Sequence, residues 1–158
     1  MKHLRIVHRA FWLLVLLYAL TLASGAGFLA VSGVAPDVGV GFVVAVSFVF
    51  GAANWGVAFA IAAFVFGVSL FPFHLFELGI AIVFGLFLAN LLARRLTGSL
   101  VADAAMVGFL AAALGAIFRW VIAVGSNIPW LAVVGEAIMT AALAAVLVFV
   151  FAKLARHR

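Results

Sequence analysis

The chain has few charged residues and no cysteine, and both absences narrow the class of protein. Of its 158 residues, 8% are charged and 70% are hydrophobic, whereas a soluble domain typically carries about 25% charged residues. The chain therefore lacks the polar side chains that a water-exposed surface needs, which predicts solvation by lipid. The absence of cysteine excludes disulfides, thiol catalysis and zinc–thiolate sites.

Recognisable catalytic and cofactor motifs are also missing. No serine has a histidine and a carboxylate at a familiar catalytic spacing, and no glycine-rich phosphate loop follows a strand. The four histidines lie near the ends of the chain or in a predicted loop, whereas a membrane haem protein needs them within its spans. We therefore predict that the protein is not an enzyme and that it holds neither a metal nor a cofactor.

Long uncharged runs divide the chain into six predicted membrane spans. A helix that crosses a bilayer needs about 20 predominantly apolar residues. The predicted spans lie approximately at residues 11–31, 38–52, 55–70, 75–92, 100–124 and 130–152. Together they predict an all-α, polytopic integral membrane protein in which residues 1–158 form a single transmembrane domain.

The uncharged run from Val38 to Leu70 decides the topology, because it is too long for one ordinary span and short for two. If it forms two helices, all nine lysines and arginines except Arg119 fall on one side of the membrane. If it forms one helix, Arg94 and Arg95 fall on the other side. The positive-inside rule therefore favours six spans with both termini in the cytoplasm. The net charge of +5 accordingly indicates topology signals rather than nucleic-acid binding.

Three ionisable residues lie in the outer halves of these spans. Arg119 and Glu136 flank a break at residues 125–129, each roughly 9–10 Å from it along a helix. At this similar depth the two charges can neutralise each other within the membrane. Glu77 lies in the first turn of the fourth span. We predict a buried ionic cluster of these three residues, which either fixes the helix register or contacts a small anionic or zwitterionic ligand.

Small residues recur at every fourth position in the first span, at Ala19, Ala23 and Gly27. Such a ridge lets another helix approach closely, either within the protein or from a partner protein. Two further ridges predict a tightly packed hairpin of the last two spans, and they comprise Gly108, Ala112 and Ala116 together with Ala137, Ala141 and Ala145.

The start of the second span also carries a short motif, Ala35-Pro36-Asp37-Val38. Proline suits the first turn of a helix, and a carboxylate there meets the positive end of the helix dipole. The sequence therefore predicts that Asp37 caps a helix.

The layout of the whole chain resembles the bacterial rod-shape-determining MreD family. The resemblance rests on a short basic N-terminus before one span, the Pro36-Asp37 pair that begins the second, and short spans around Gly51 and Gly56. A basic cytoplasmic loop and a basic tail complete it. This resemblance implies a non-enzymatic inner-membrane scaffold or regulator of cell-wall elongation, with MreC and peptidoglycan synthases as partners.

The layout is also similar to the substrate-binding S component of energy-coupling factor transporters, which are small six-span proteins. The Ala19, Ala23 and Gly27 ridge resembles the one with which S components dock on the membrane coupling subunit. This alternative implies ATPases and a coupling subunit as partners. It also implies that a vitamin or other micronutrient faces the predicted ionic cluster. Both resemblances imply a multi-pass protein of the bacterial inner membrane whose surroundings are the lipid bilayer.

Overall fold

The computed structural model describes residues 2–70, 75–92, 97–124 and 128–156, with side chains for residues 6–70, 78–92, 97–122 and 128–156. In these ranges the protein is helical, and a single isolated β-bridge joins Val31 to Val34. The α-helices are α1 (Lys2–Gly25), α2 (Val38–Phe50), α3 (Val57–Leu70), α4 (Leu75–Leu92), α5 (Leu100–Val124) and α6 (Trp130–Arg156).

Within the described residues, four helical segments are long and apolar enough to cross a bilayer. They are Ile6–Gly25, Ala52–Leu70, Leu100–Ile122 and Trp130–Arg156. These segments indicate a membrane protein and agree with the predicted all-α class. α2 and Leu78–Leu92 of α4 are shorter apolar helices, so the count of six spans stays a prediction.

The first helix ends earlier than the predicted span, which extended to Val31. α1 ends at Gly25, and Gly27 just beyond it has a φ of 79°. The N–H of Gly27 donates to the carbonyl of Ser24 at 3.0 Å, and the N–H of Phe28 donates to that of Ala23 at 2.9 Å. This pair of hydrogen bonds is the Schellman motif, which ends helices at a left-handed glycine.

The long uncharged run forms two helices, because the chain turns at Gly51. This residue has a φ of 103°, which suits glycine because it has no Cβ. Its N–H donates to the carbonyl of Ser47 at 3.1 Å, and a π-helical turn at Ala52–Gly56 then leads into α3. Two helices in this run are the condition on which the six-span prediction depends.

α2 is the central helix of the bundle. It packs against each of the other five α-helices, and most of its side chains are fully buried. A helix that is apolar on every side can be enclosed by protein or by lipid, and here the other helices enclose it. Its 13 residues extend about 20 Å, whereas the hydrocarbon core of a bilayer is about 30 Å thick. α2 is therefore a buried core helix enclosed by its longer neighbours.

Small residues bring α5 close to α6, as the sequence predicts. A Cβ added at Gly108 would lie 3.1 Å from the Cβ of Ala144, and Ala112, Ala116 and Ala137 are buried. Closely approaching backbones allow short-range packing between membrane helices. This contact also sets the spacing between the two helices that carry Arg119 and Glu136.

Candidate functional site

Arg119 on α5 and Glu136 on α6 form a two-pronged ion pair. Nη2 of Arg119 donates to Oε1 of Glu136 at 2.9 Å, and Nη1 donates to Oε2 at 3.2 Å. The parallel hydrogen bonds of such a pair add geometric specificity to the charge attraction. The exposed fraction of the side chain is 34% for Arg119 and 14% for Glu136. The pair is therefore held between two helices yet accessible on the side of the arginine.

Asp37 brings a second carboxylate to the same place. Its Oδ1 accepts the backbone N–H of Val40 at 3.0 Å, which confirms the predicted helix cap. The same side chain lines the cavity beside the ion pair and interacts electrostatically with Arg119 and Glu136. The sequence predicts the cap but not this position beside the ion pair, because no local signal shows that α2 begins beside α6.

Thr140 ties the start of α2 to α6. The backbone N–H of Asp37 donates to Oγ1 of Thr140 at 2.8 Å, and the Thr140 hydroxyl donates to the Glu136 carbonyl at 2.8 Å. Thr140 is fully buried and lies about 15 Å along α6 from Trp130. α2 therefore begins well inside the bundle, one helical turn from the ion pair.

The segment between α1 and α2 returns from the end of α1 into the bundle. A tight turn at Ser32 and Gly33, both with positive φ, is closed by two hydrogen bonds between Val31 and Val34. Val34 then packs against α6, where a Cβ added at Gly135 would lie 3.3 Å from it. Residues 33–37 thereby form one wall of the site.

The ion pair faces a cavity of about 410 Å³ to which all six helices contribute. Small-molecule sites commonly have volumes of about 300–1,000 Å³. Among the described residues, the polar side chains of this cavity are those of Thr21, Ser24, Asp37, Arg119 and Glu136, and the other lining residues include Val38, Ala63, Leu78, Trp120 and Ala132. The site therefore combines an apolar body with a few charged groups that can orient a ligand.

The structure brings together two of the three residues of the predicted ionic cluster. The structure joins Arg119 to Glu136, whereas the side chain of Glu77 lies outside the described residues, so its place in the cluster stays a prediction. The predicted ridge through Ala19, Ala23 and Gly27 does not lie on one continuous helix, and its role as a packing or partner surface stays a prediction. Gly27 lies beyond the end of α1 in a left-handed conformation, since the Schellman motif ends the helix first.

No family model, curated protein or solved structure matches the chain. A function for the cavity is therefore inferred from its geometry.

Proposed function

We propose that the protein is a membrane-embedded binding component for a small anionic or zwitterionic solute, similar in role to the S component of an energy-coupling factor transporter. The observation that carries this proposal is the cavity of about 410 Å³ with Arg119, Glu136 and Asp37 among its lining residues. Ionisable residues within membrane helices are expensive to bury and commonly mark substrate or ion sites.

The exposure of Arg119 favours ligand contact over a purely structural role. An ion pair that only fixes the register of two helices needs no access to a cavity, and exclusion of water would strengthen its charge attraction. Here Arg119 keeps about a third of its side-chain exposure and borders the cavity. A solute that enters can therefore reach the guanidinium without separating α5 from α6.

The charged groups of Asp37, Arg119 and Glu136, the three among the described lining residues, indicate the chemistry of the solute. A guanidinium matches the geometry of carboxylate and phosphate groups, and the carboxylates of Asp37 and Glu136 can accept hydrogen bonds from an amine. The apolar walls, which include Leu78 and Trp120, suit a hydrocarbon or aromatic body. We therefore propose a solute that joins an acidic group, and in the zwitterionic case an amine, to a compact apolar frame.

The six-span topology with cytoplasmic termini in a bacterial inner membrane belongs to the same proposal. Arg9 near the start of α1 and Lys153 and Arg156 in the last turn of α6 lie at the end of the bundle away from the ionic cavity. By the positive-inside rule this basic end faces the cytoplasm. The ionic cavity then lies toward the outer side, from which a nutrient would be captured.

The resemblance to the MreD family makes a different prediction, a wall-elongation scaffold with MreC and peptidoglycan synthases as partners. Such a role depends on surfaces that meet other proteins and not on the cavity. It stays a prediction beside the binding proposal.

One purification separates these two roles. The tagged protein is isolated from native membranes in mild detergent, and mass spectrometry identifies both the proteins and the small molecules that accompany it. We expect a small anionic or zwitterionic molecule, with ATPases and a coupling subunit, and a double variant Arg119→Gln/Glu136→Gln that loses the small molecule. Lys153→Gln, a charge change away from the cavity, is the matched control.

Wall synthases with no bound solute would contradict the binding proposal and favour the scaffold. Retention of the same solute by the double variant would also contradict it, because the charged pair would then make no contribution to binding.

A further inference from the structure

A second cleft lies at the end of the bundle opposite to the ionic cavity. It has a volume of about 340 Å³, with walls from α1 and α6 and a floor from the end of α2. Among the described residues, α1 packs against α2 and α3 without an extensive contact to α6, so a lateral gap remains between the two walls. Phe50 on α2 and Phe151 on α6 close its inner side, with ring centroids 6.0 Å apart.

Arg9 places a positive charge in this cleft. Its guanidinium carbon lies 5.6 Å from the centroid of the Phe50 ring, a cation–π contact that positions the charge. Within the described ranges of the chain, no carboxylate forms an ion pair with Arg9. The cleft is therefore apolar inside and complementary in charge to an anion.

We propose that this cleft binds an anionic glycerophospholipid, with the phosphate at Arg9 and an acyl chain along the apolar walls. Leu13 on α1 and Leu154 on α6 belong to those walls. Basic pockets between membrane helices bind anionic lipid headgroups. A free phosphate ester would contact Arg9 and leave the apolar walls uncovered, so a lipid is the ligand that satisfies both parts of the cleft. This inference is independent of the solute proposed for the other cavity.

Trp12 borders the same cleft at the depth of the lipid headgroups. Its indole N–H donates to Nε2 of His8 at 3.0 Å, and 57% of the residue is exposed. Tryptophan with a polar partner and an exposed apolar ring is typical of membrane interfaces. Its position among the lining residues also makes it a natural fluorescent reporter of lipid in the cleft.

The test uses the full-length chain with Trp55, Trp120 and Trp130 changed to phenylalanine, so that Trp12 is the one remaining tryptophan. The protein is reconstituted in phosphatidylcholine vesicles that contain increasing fractions of dibrominated phosphatidylglycerol or dibrominated phosphatidylcholine. Bromine quenches fluorescence at short range and so reports which lipid lies next to Trp12. We expect the anionic lipid to associate about fivefold more strongly than the zwitterionic one, as for one basic residue near the surface.

Two variants and one matched control identify the site. Arg9→Gln is expected to remove the preference for the anionic lipid, and Ala155→Phe, which fills the cleft while Arg9 stays in place, is expected to weaken it too. Lys153→Gln is expected to keep the preference, since Lys153 does not line the cleft.

Equal quenching by the two brominated lipids in the reporter protein would overturn the proposal. An equal loss of preference in Arg9→Gln and Lys153→Gln would also overturn it, since the effect would then be general surface charge. Relief of quenching by soluble glycerol 3-phosphate would overturn it as well, because it would identify a site for a free phosphate ester.

Discussion

The backbone N–H of Asp37 donates a hydrogen bond of 2.8 Å to the hydroxyl of Thr140, across 103 residues of sequence. This contact anchors the start of the central helix α2 to the middle of α6. It lies one helical turn from Glu136, whose backbone carbonyl accepts a hydrogen bond from the Thr140 hydroxyl. The cap of one helix and the ion pair of two others therefore share a single buried junction.

Thr140→Val removes this junction while nearly keeping the side-chain volume. We expect the free energy of unfolding to fall by about 1–3 kcal/mol, because the N–H of Asp37 then loses its acceptor in a buried setting. Thermal or denaturant unfolding in detergent measures the change. Thr140→Ser retains the hydroxyl and serves as the matched control. Equal stability of the valine and serine variants would contradict the role of the hydrogen bond.

Arg119 and Glu136 are expected to be coupled in stability. Arg119→Leu leaves two carboxylates near each other without their cation, whereas adding Glu136→Leu removes one of them. Breaking a fully buried pair on one side lowers stability by about 3–5 kcal/mol, which is an upper bound here because Arg119 is partly exposed, whereas replacing both partners is often close to neutral. We therefore expect Arg119→Leu alone to be less stable than the double variant. A double variant that unfolds first would contradict this coupling.

Gly115 and Gly85 offer a matched pair of alanine substitutions in the α4 and α5 packing. A Cβ added at Gly115 would lie 2.5 Å from the Cβ of Ala81, whereas one at Gly85 would lie 3.4 Å from its nearest neighbours. We expect Gly115→Ala to lower the free energy of unfolding by about 1–3 kcal/mol through overpacking. Gly85→Ala should be neutral or stabilising by up to about 1 kcal/mol, since alanine favours helix.

Unfolding curves of the two glycine variants in one detergent provide the comparison. A Gly115→Ala variant that is as stable as Gly85→Ala would show that α4 and α5 do not approach each other as closely as the structure has it.

The six-span topology predicts the activity of alkaline phosphatase fusions, because the enzyme is active only outside the cytoplasm. A fusion after residue 95 is expected to be inactive, and one after residue 126 is expected to be active. Expression levels of both fusions serve as the control. High activity after residue 95, or none after residue 126, would overturn the proposed number of spans.

The sequence by itself determined the class of the protein and the positions of several helices. The composition indicates that lipid surrounds the protein. The uncharged runs between polar breaks predict the bounds of the helices, and α4 and α5 coincide with the predicted spans at 75–92 and 100–124. The matched depth of Arg119 and Glu136 also followed from helix rise alone, and the structure places these two residues in contact. These features depend on local spacing, which a single sequence displays.

The tertiary structure alone decided where α2 lies and what surrounds its start. Asp37 has the local pattern of a helix cap, and its nearness to Arg119, Glu136 and Thr140 arises from contacts between distant parts of the chain. Such contacts cannot be predicted from a uniformly apolar sequence, because the residue pattern of an apolar helix does not distinguish a buried face from a lipid-facing one. The end of α1 before Gly27 was hidden for the same reason, since the apolar run continues past the turn. The cavity exists because these contacts bring six helices around one point.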